Sequence, residues 1–324
     1  MVSRIAGTGH HTPERVLTNT DLEKMVDTSD EWIVSRTGIR ERRIAAEGES
    51  TSDMATAAAK GALDAAGILA SELDLIIVAT VTPDHPLPAT AMFVQQKLGA
   101  TCPAFDMSAA CAGFIYGLSV ADQFIRSGFR NVLVIGVELL SRVLNWEDRN
   151  TCVLFGDGAG AVVLSPTRDP ERGLLSTHLG ADGSLASSLW IPAGGSVEPV
   201  VEESLSACRH KVHMAGQDIF KFAVRALSSS SMEALRANGI AAADVDWVVP
   251  HQANLRILQG VSSRVGIPME RFYLNLEKYG NTSSASVPIA LDEAVRDGSI
   301  QPGQTLLLCA LGAGIAWGSA VLRW

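Results

Sequence analysis

No two cysteines in this chain are spaced Cys-x-x-Cys, and the five present (Cys102, Cys111, Cys152, Cys208 and Cys309) are scattered and odd in number. That leaves no structural zinc or other metal site and suits a reducing cytoplasm. Charge is scarce too. Charged residues make up 19% of the chain, the net charge is −9, and no basic run exceeds Arg40-Glu-Arg-Arg43. A nucleic-acid-binding face is excluded on that balance. The opening residues, Met1-Val-Ser-Arg-Ile5, hold no apolar signal core. Thr305 to Leu322 lacks any charge and is long enough to raise the question of a membrane span. Gly312, Gly314 and Gly318 interrupt it, however, and it reads as two buried strands around a glycine turn. Apolar residues are plentiful, at 47% of 324 positions. A large buried core follows, with length for two domains of about 160 residues each.

The chain is organised around Asp106-Met-Ser-Ala-Ala-Cys-Ala-Gly-Phe114. A strand-like lead-in, Ala104-Phe105-Asp106, runs into small residues that leave room for a substrate beside Cys111. Phe114, Ile115, Leu118, Ala121, Phe124 and Ile125 then recur at helical spacing up to Ser127-Gly128. Cys111 thus falls at the first turn of a helix, where unpaired N–H groups favour thiolate over thiol. A free cysteine is also commonly a small buried hydrophobe. On position alone the two readings stand level.

Thr28-Ser-Asp-Glu31 has the capping-box pattern and opens a short helix through Trp32 and Val34. An alanine-rich helix spans Ser52 to Ala66 and stops at Gly67; a buried strand covers Leu73 to Thr80, and another helix Thr90 to Leu98. Asn131 to Val137 reads as a strand, Glu138 to Thr151 as a polar loop, and Phe155 to Leu164 as a glycine-punctuated hairpin. The second half repeats this order. Ala-Asn-Gly-Ile240 echoes Ala-Ala-Gly-Ile68, Asp244 to His251 echoes Leu73 to Thr80, and Asn281 to Leu291 stands where the Cys111 turn and helix stood. Gly67 and Gly239 are 172 positions apart, as are Asp74 and Asp246. So steady an offset marks an internal duplication of strand–helix units, joined near Ser165 to Gly173. Runs of Val, Ile and Leu without polar alternation predict sheets buried on both faces, and hence layers of helices and sheets.

Equivalent turns of duplicated halves face each other across the pseudo-axis, so Cys111, His251 and Asn281 fall at corresponding carboxyl ends of strands, where α/β sheets bind ligands. Singly, His251 reads as a cap for the following helix and Asn281 as an ordinary turn residue. The other histidines lack this positional logic and read as surface or structural. As a set, the three residues favour chemistry.

The sequence resembles β-ketoacyl-[acyl-carrier-protein] synthase III, the initiating condensing enzyme of type II fatty acid synthesis, essentially from end to end. The motifs that carry the resemblance are Thr28 to Arg40, Asp106 to Phe114, Phe155-Gly-Asp-Gly-Ala-Gly160, Pro250-His-Gln-Ala-Asn254, Gly280-Asn-Thr-Ser283 and Trp317-Gly-Ser-Ala320. The resemblance implies an α/β thiolase-like fold, with strand–helix halves 1–170 and 171–324 stacked in five layers of helices and mixed sheets. It implies Cys111, His251 and Asn281 as the catalytic set, and backbone N–H groups of Cys111 and Ala313 as an oxyanion hole. Ala313 stands where the family has a glycine. Trp32, Arg36, Arg149 and Gly216 match CoA contacts, as does Gln217, where the family usually has Asn. Lys221, Arg256 and Arg264 match basic positions around the mouth where the acidic carrier protein docks. Leu87 matches a primer-pocket residue contributed across a dimer interface, where relatives that prefer acetyl primers carry a larger aromatic.

The implied reaction is decarboxylative condensation of an acyl-CoA primer with malonyl-acyl-carrier protein through an acyl-cysteine, in a cytoplasmic homodimer that needs no cofactor and no membrane. The competing reading keeps the fold and changes the second step, to acyl transfer onto an amine or alcohol or to non-decarboxylative condensation in secondary metabolism. A non-catalytic acyl-CoA-binding member would have lost one of the three residues, and all three are present.

Overall fold

The computed structural model describes residues 2–169 and 172–324, with residues 217 and 218 described by their backbone alone. The boundary expected between residues 170 and 171 falls outside them. Strands β1 (Val2–His11), β2 (Leu75–Ala79), β3 (Ala104–Met107), β4 (Val132–Glu138) and β5 (Gly158–Thr167) form a sheet in the order β1-β5-β4-β2-β3. β3, β2 and β4 run parallel, and β5 is antiparallel to both β4 and β1. A second sheet, in the order β7-β8-β9-β6, takes its strands from Gly173–Ala181 (β6), Trp247–Pro250 (β7), Thr305–Gly312 (β8) and Ala316–Arg323 (β9). It repeats the sense of the first, with β7 parallel to β8 and β9 antiparallel to its two neighbours. The counterpart of β3 is reduced to one parallel bridge, Val248 to Phe272. The repeat extends to side chains. The Asp74 carboxylate accepts the Asn131 N–H at 3.1 Å, and Asp246 accepts the Thr305 N–H at 2.8 Å.

Both faces of each sheet are covered. In β2, Leu75 and Ile77 belong to the central core, while Ile76 and Val78 belong to an outer one. The central layer holds α4 (Gly113–Arg126) and α7 (Ser286–Arg296), packed between the sheets. Outside the first sheet lie α2 (Thr51–Ala66) and α3 (Thr90–Leu98); outside the second lie α5 (Gly216–Ala237) and α6 (Leu255–Val265). The result is five layers, as expected. The alanines of α2 serve close approach. A Cβ added at Gly9 of β1 would sit 2.4 Å from the Ala58 carbonyl oxygen, so helix and strand meet backbone to backbone.

Two local expectations need correction. Phe155 to Leu164 is not a hairpin, because its second half runs on into β5 as a single strand. Its glycines answer to packing rather than turning: a Cβ at Gly160 would lie 2.7 Å from the Ile289 nitrogen of α7. The first short helix, α1 (Asp30–Thr37), is capped by Ser29 rather than Thr28, and the Ser29 hydroxyl accepts the Trp32 N–H at 3.1 Å. Within the basic run, Arg42 is fully buried and donates to the Leu17 and Val153 carbonyls and to Asn19 Oδ1. It stitches loops together and presents no basic surface.

Candidate active site

Cys111, His251 and Asn281 line one cavity of about 700 Å³. Cys111 lies in a 3-10 turn, Ala110–Ala112, between β3 and α4. The carboxylate of Asp106, in β3, accepts the Thr90 and Ala91 N–H groups of α3 at 2.6 and 2.7 Å, which pins the strand end ahead of the turn. Ala110 takes φ +46°, an uncommon conformation for a residue with a Cβ, and so turns Cys111 toward the cavity. Across from it, Gly312 presses on the same turn. A Cβ there would lie 2.5 Å from the Cys111 nitrogen and 2.9 Å from the Ala109 oxygen and the Ala112 nitrogen. Gly312→Ala is therefore expected to destabilise the chain by about 1–3 kcal/mol, measured by urea unfolding, because backbone and not a mobile side chain must yield. An unchanged unfolding midpoint would contradict this packing.

Cys111 is buried, and burial pushes its thiol up to about 12 despite the opposing influence of the Ser283 hydroxyl. This corrects the expectation of a resting thiolate, since desolvation outweighs the helix N-terminus. The nucleophile is stored as a thiol and must lose its proton as it attacks.

His251 follows the end of β7 and donates its N–H to the Cys309 carbonyl at 2.7 Å. Its Nδ1 lies 2.6 Å from the Ser286 hydroxyl, which is also 2.9 Å from the Ser283 carbonyl. When the single Ser286 proton points at the imidazole, Nε2 carries hydrogen and is a donor. Burial lowers the His251 pKa to about 4, so the ring is neutral at neutral pH. Asn281 is held from both sides: its N–H donates to the Leu154 carbonyl at 2.8 Å, and its carbonyl accepts the Gly156 N–H at 3.1 Å. Its Oδ1 accepts the Ser283 N–H at 2.9 Å, which leaves the amide NH2 for the cavity. Here the Phe155-Gly-Asp-Gly motif has its role. A Cβ at Gly156 would sit 2.4 Å from the Tyr279 oxygen, so the segment that clamps Asn281 tolerates no side chain there.

At the mouth, the Trp32 ring has the Arg149 and Arg36 guanidinium carbons 5.2 and 5.7 Å from its centroid. Arg149 is fixed by donating to the Asp27 carbonyl at 2.7 Å. Asn254 caps α6 through the Arg256 N–H and donates to the Arg36 carbonyl, which joins α6 to α1. Arg36, Gly216, Lys221, Arg256 and Ala313 all border the cavity. Ala313 does not take a positive φ. Arg264 sits in the last turn of α6, exposed and away from the cavity, and Leu87 is 85% exposed and also outside it. The Gln217 side chain lies outside the described residues.

Sequence reasoning missed Glu138 and Ser283. Glu138 was read as the start of a polar loop but ends β4 fully buried, beside Ser283. Its signal was an acid closing an otherwise apolar strand.

Fold and site together define the class: a condensing enzyme of the thiolase-like type, within the acyltransferases. Residues 105–183 match the family model for 3-oxoacyl-[acyl-carrier-protein] synthase III, and residues 235–324 match the model for its C-terminal part. The chain belongs to this family. It is 56% identical to the β-ketoacyl-[acyl-carrier-protein] synthase III of Xanthomonas oryzae pv. oryzae over 99% of this chain and 98% of that protein. The solved 3-oxoacyl-[acyl-carrier-protein] synthase III of Aquifex aeolicus superposes with a TM-score of 0.92 at 48% identity, covering 99% of this chain and 100% of that one. The priming β-ketosynthase of the R1128 polyketide biosynthetic pathway gives the same TM-score at 36% identity, covering 99% and 96%.

Proposed function

We propose that Cys111 accepts the acyl group of an acyl-CoA primer and that His251 and Asn281 then drive its condensation with malonyl-acyl-carrier protein. The observation that carries this reading is a buried thiol sharing one cavity with a neutral imidazole and an outward-facing carboxamide. In the first step Cys111 sulfur attacks the thioester carbonyl and CoA departs, an exchange of one thioester for another. The Cys111 and Ala313 N–H groups hold the developing oxyanion. In the second, malonyl-carrier protein loses carbon dioxide and its thioester oxygen takes on enolate charge. His251 Nε2–H and Asn281 NH2 donate to that oxygen. Both donors are neutral, so the enolate is stabilised while its carbon remains nucleophilic toward the acyl-Cys111 carbonyl.

Trp32 stacks the adenine of CoA, with Arg149 and Arg36 at the ring and at the nucleotide phosphates. Gly216 and Gln217 border the pantetheine channel. Lys221, Arg256 and Arg264 steer the acidic carrier protein locally on a chain that is acidic overall. No cofactor enters beyond the two substrates. The halves 1–170 and 171–324 act as duplicated units that supply nucleophile and donors respectively, in a cytoplasmic homodimer.

In that dimer, exposed Leu87 reaches the partner's primer pocket and admits primers longer than acetyl. Leu87→Phe is then expected to slow acylation by octanoyl-CoA about tenfold or more relative to acetyl-CoA. Wild-type loading rates that fall steadily from acetyl- to octanoyl-CoA would contradict the assignment. The overall reading is tested by product analysis with acyl-CoA and malonyl-carrier protein together. A 3-oxoacyl carrier, formed with one carbon dioxide each, supports it. Acyl transfer to an added amine or alcohol in preference to malonyl-carrier protein would move the chain to the other branch.

A further inference from the structure

Acylation of a buried thiol needs a destination for its proton, and no group named in the two steps above supplies one. We propose that Glu138 receives the Cys111 proton through the hydroxyl of Ser283. The inference rests on the reading of Cys111 as the acyl carrier.

Glu138 closes β4 with no exposed surface, and no cation pairs with it among the described residues. Five donors reach it instead. Oε2 accepts from Thr82 Oγ1 at 2.7 Å, from the Val81 N–H at 3.1 Å and from Thr80 Oγ1 at 3.3 Å. Oε1 accepts from the Ser283 and Ser284 hydroxyls, each at 3.1 Å. The single Ser284 proton is divided between Glu138 and the Ala79 carbonyl, 2.9 Å away. Of these, Ser283 continues to the nucleophile: its turn, Ser283–Ala285, packs directly against Ala110–Ala112, the turn that carries Cys111, and its hydroxyl acts on the thiol. Cys111 is thus the titratable group that Glu138 faces; among the described residues its hydrogen-bond partners are hydroxyls and one backbone N–H, and His251 is held separately by Ser286.

The backbone aims this chain. Ser283 takes φ +51°, and Ala110, which opens the Cys111 turn in the other half, takes φ +46°. In each half a helix begins three residues later, at Ser286 and at Gly113. The duplicated turn therefore presents a relay hydroxyl in one copy and a nucleophile in the other. Strain of this kind is retained where surrounding structure requires it, often at functional sites. A carboxylate buried without a cation is costly and calls for an account.

The step balances. As Cys111 sulfur bonds to the thioester carbonyl carbon, its proton passes to Ser283 Oγ while the Ser283 proton passes to Glu138 Oε1. Collapse of the adduct breaks the carbon–sulfur bond to CoA. The departing sulfur regains the proton from Glu138 through Ser283, so CoA leaves as a thiol and the carboxylate is restored. Burial raises Glu138 to about 7, which suits a base working at neutral pH. Only the carboxylate accepts, so loading rises as pH climbs through that value and then levels.

The test is rapid-quench mass spectrometry of the butyryl adduct on Cys111 for the wild type, Glu138→Gln and Ser283→Ala across the neutral range, followed by malonyl-carrier protein. Both variants are expected to load about 100-fold more slowly or worse and to lose the inflection near pH 7. Once fully acylated, they are expected to condense at the wild-type rate, a split that a general packing defect would not give. Ser283→Ala leaves β4 untouched and carries the test if Glu138→Gln does not fold. Wild-type loading and pH profile in Ser283→Ala, or equal slowing of both steps, overturns the relay. So does loss of the inflection in His251→Ala alone, which would make the imidazole the acceptor. No adduct on the wild type would refute the acyl-carrier reading itself, a result distinct from a failed relay.

Discussion

Cys111→Ser is expected to form no acyl adduct and to give product only at assay background, with its unfolding midpoint unchanged. The oxygen fills nearly the space of the sulfur, so a residue that served only packing would tolerate the exchange. A hydroxyl at the same buried turn holds its proton far more tightly than a thiol, and the pocket already pushes the thiol itself up to about 12. Loss of a committed nucleophile costs about 10⁶-fold in enzymes that depend on one. Acyl-CoA loading followed by mass, alongside a thermal melt, separates the outcomes. A fall in stability with retained product would return Cys111 to the core.

Asn281→Ala is expected to load an acyl group at close to the wild-type rate and to condense about 10²–10³-fold more slowly, the usual cost of one oxyanion donor. The reasoning is geometric. Leu154 and Gly156 clamp the Asn281 backbone and Ser283 takes its Oδ1, so truncation removes the outward NH2 and leaves the clamp in place. His251→Ala is expected to behave likewise. Because the His251 pKa is depressed to about 4, the ring stays neutral as pH falls from neutrality through its ordinary range, and condensation shows no acid limb from this group there. Single-turnover decay of a pre-formed acyl-Cys111 measures this. Equal slowing of loading and condensation in Asn281→Ala would contradict the division of labour.

Much of this site was legible because duplication converts sequence position into spatial position. Repeated markers such as Asp74 and Asp246 set the register, and the register brought Cys111 and His251 to the carboxyl ends of strands; Asn281 reaches the same cavity from a different setting, just after the short helical turn Leu276–Tyr279. Helix limits were legible where a chemical stop is local, as at Gly67, which takes φ +68° after α2. What escaped depends on long-range contact. Gly158 and Gly160 look like turn residues until α7 is seen lying against them. Glu138 looks like a loop acid because its five donors come from segments far away along the chain. The ionisation of Cys111 escaped for the same reason: a helix terminus is visible in sequence, while the depth of burial that overrides it is not.

The most direct test of the central claim is intact-protein mass spectrometry with a panel of acyl-CoAs, followed by malonyl-carrier protein. An acyl adduct on Cys111 that persists alone, disappears on adding malonyl-carrier protein and yields a 3-oxoacyl carrier is the expected result. An adduct that malonyl-carrier protein leaves untouched, or no adduct with any acyl-CoA, would contradict the account.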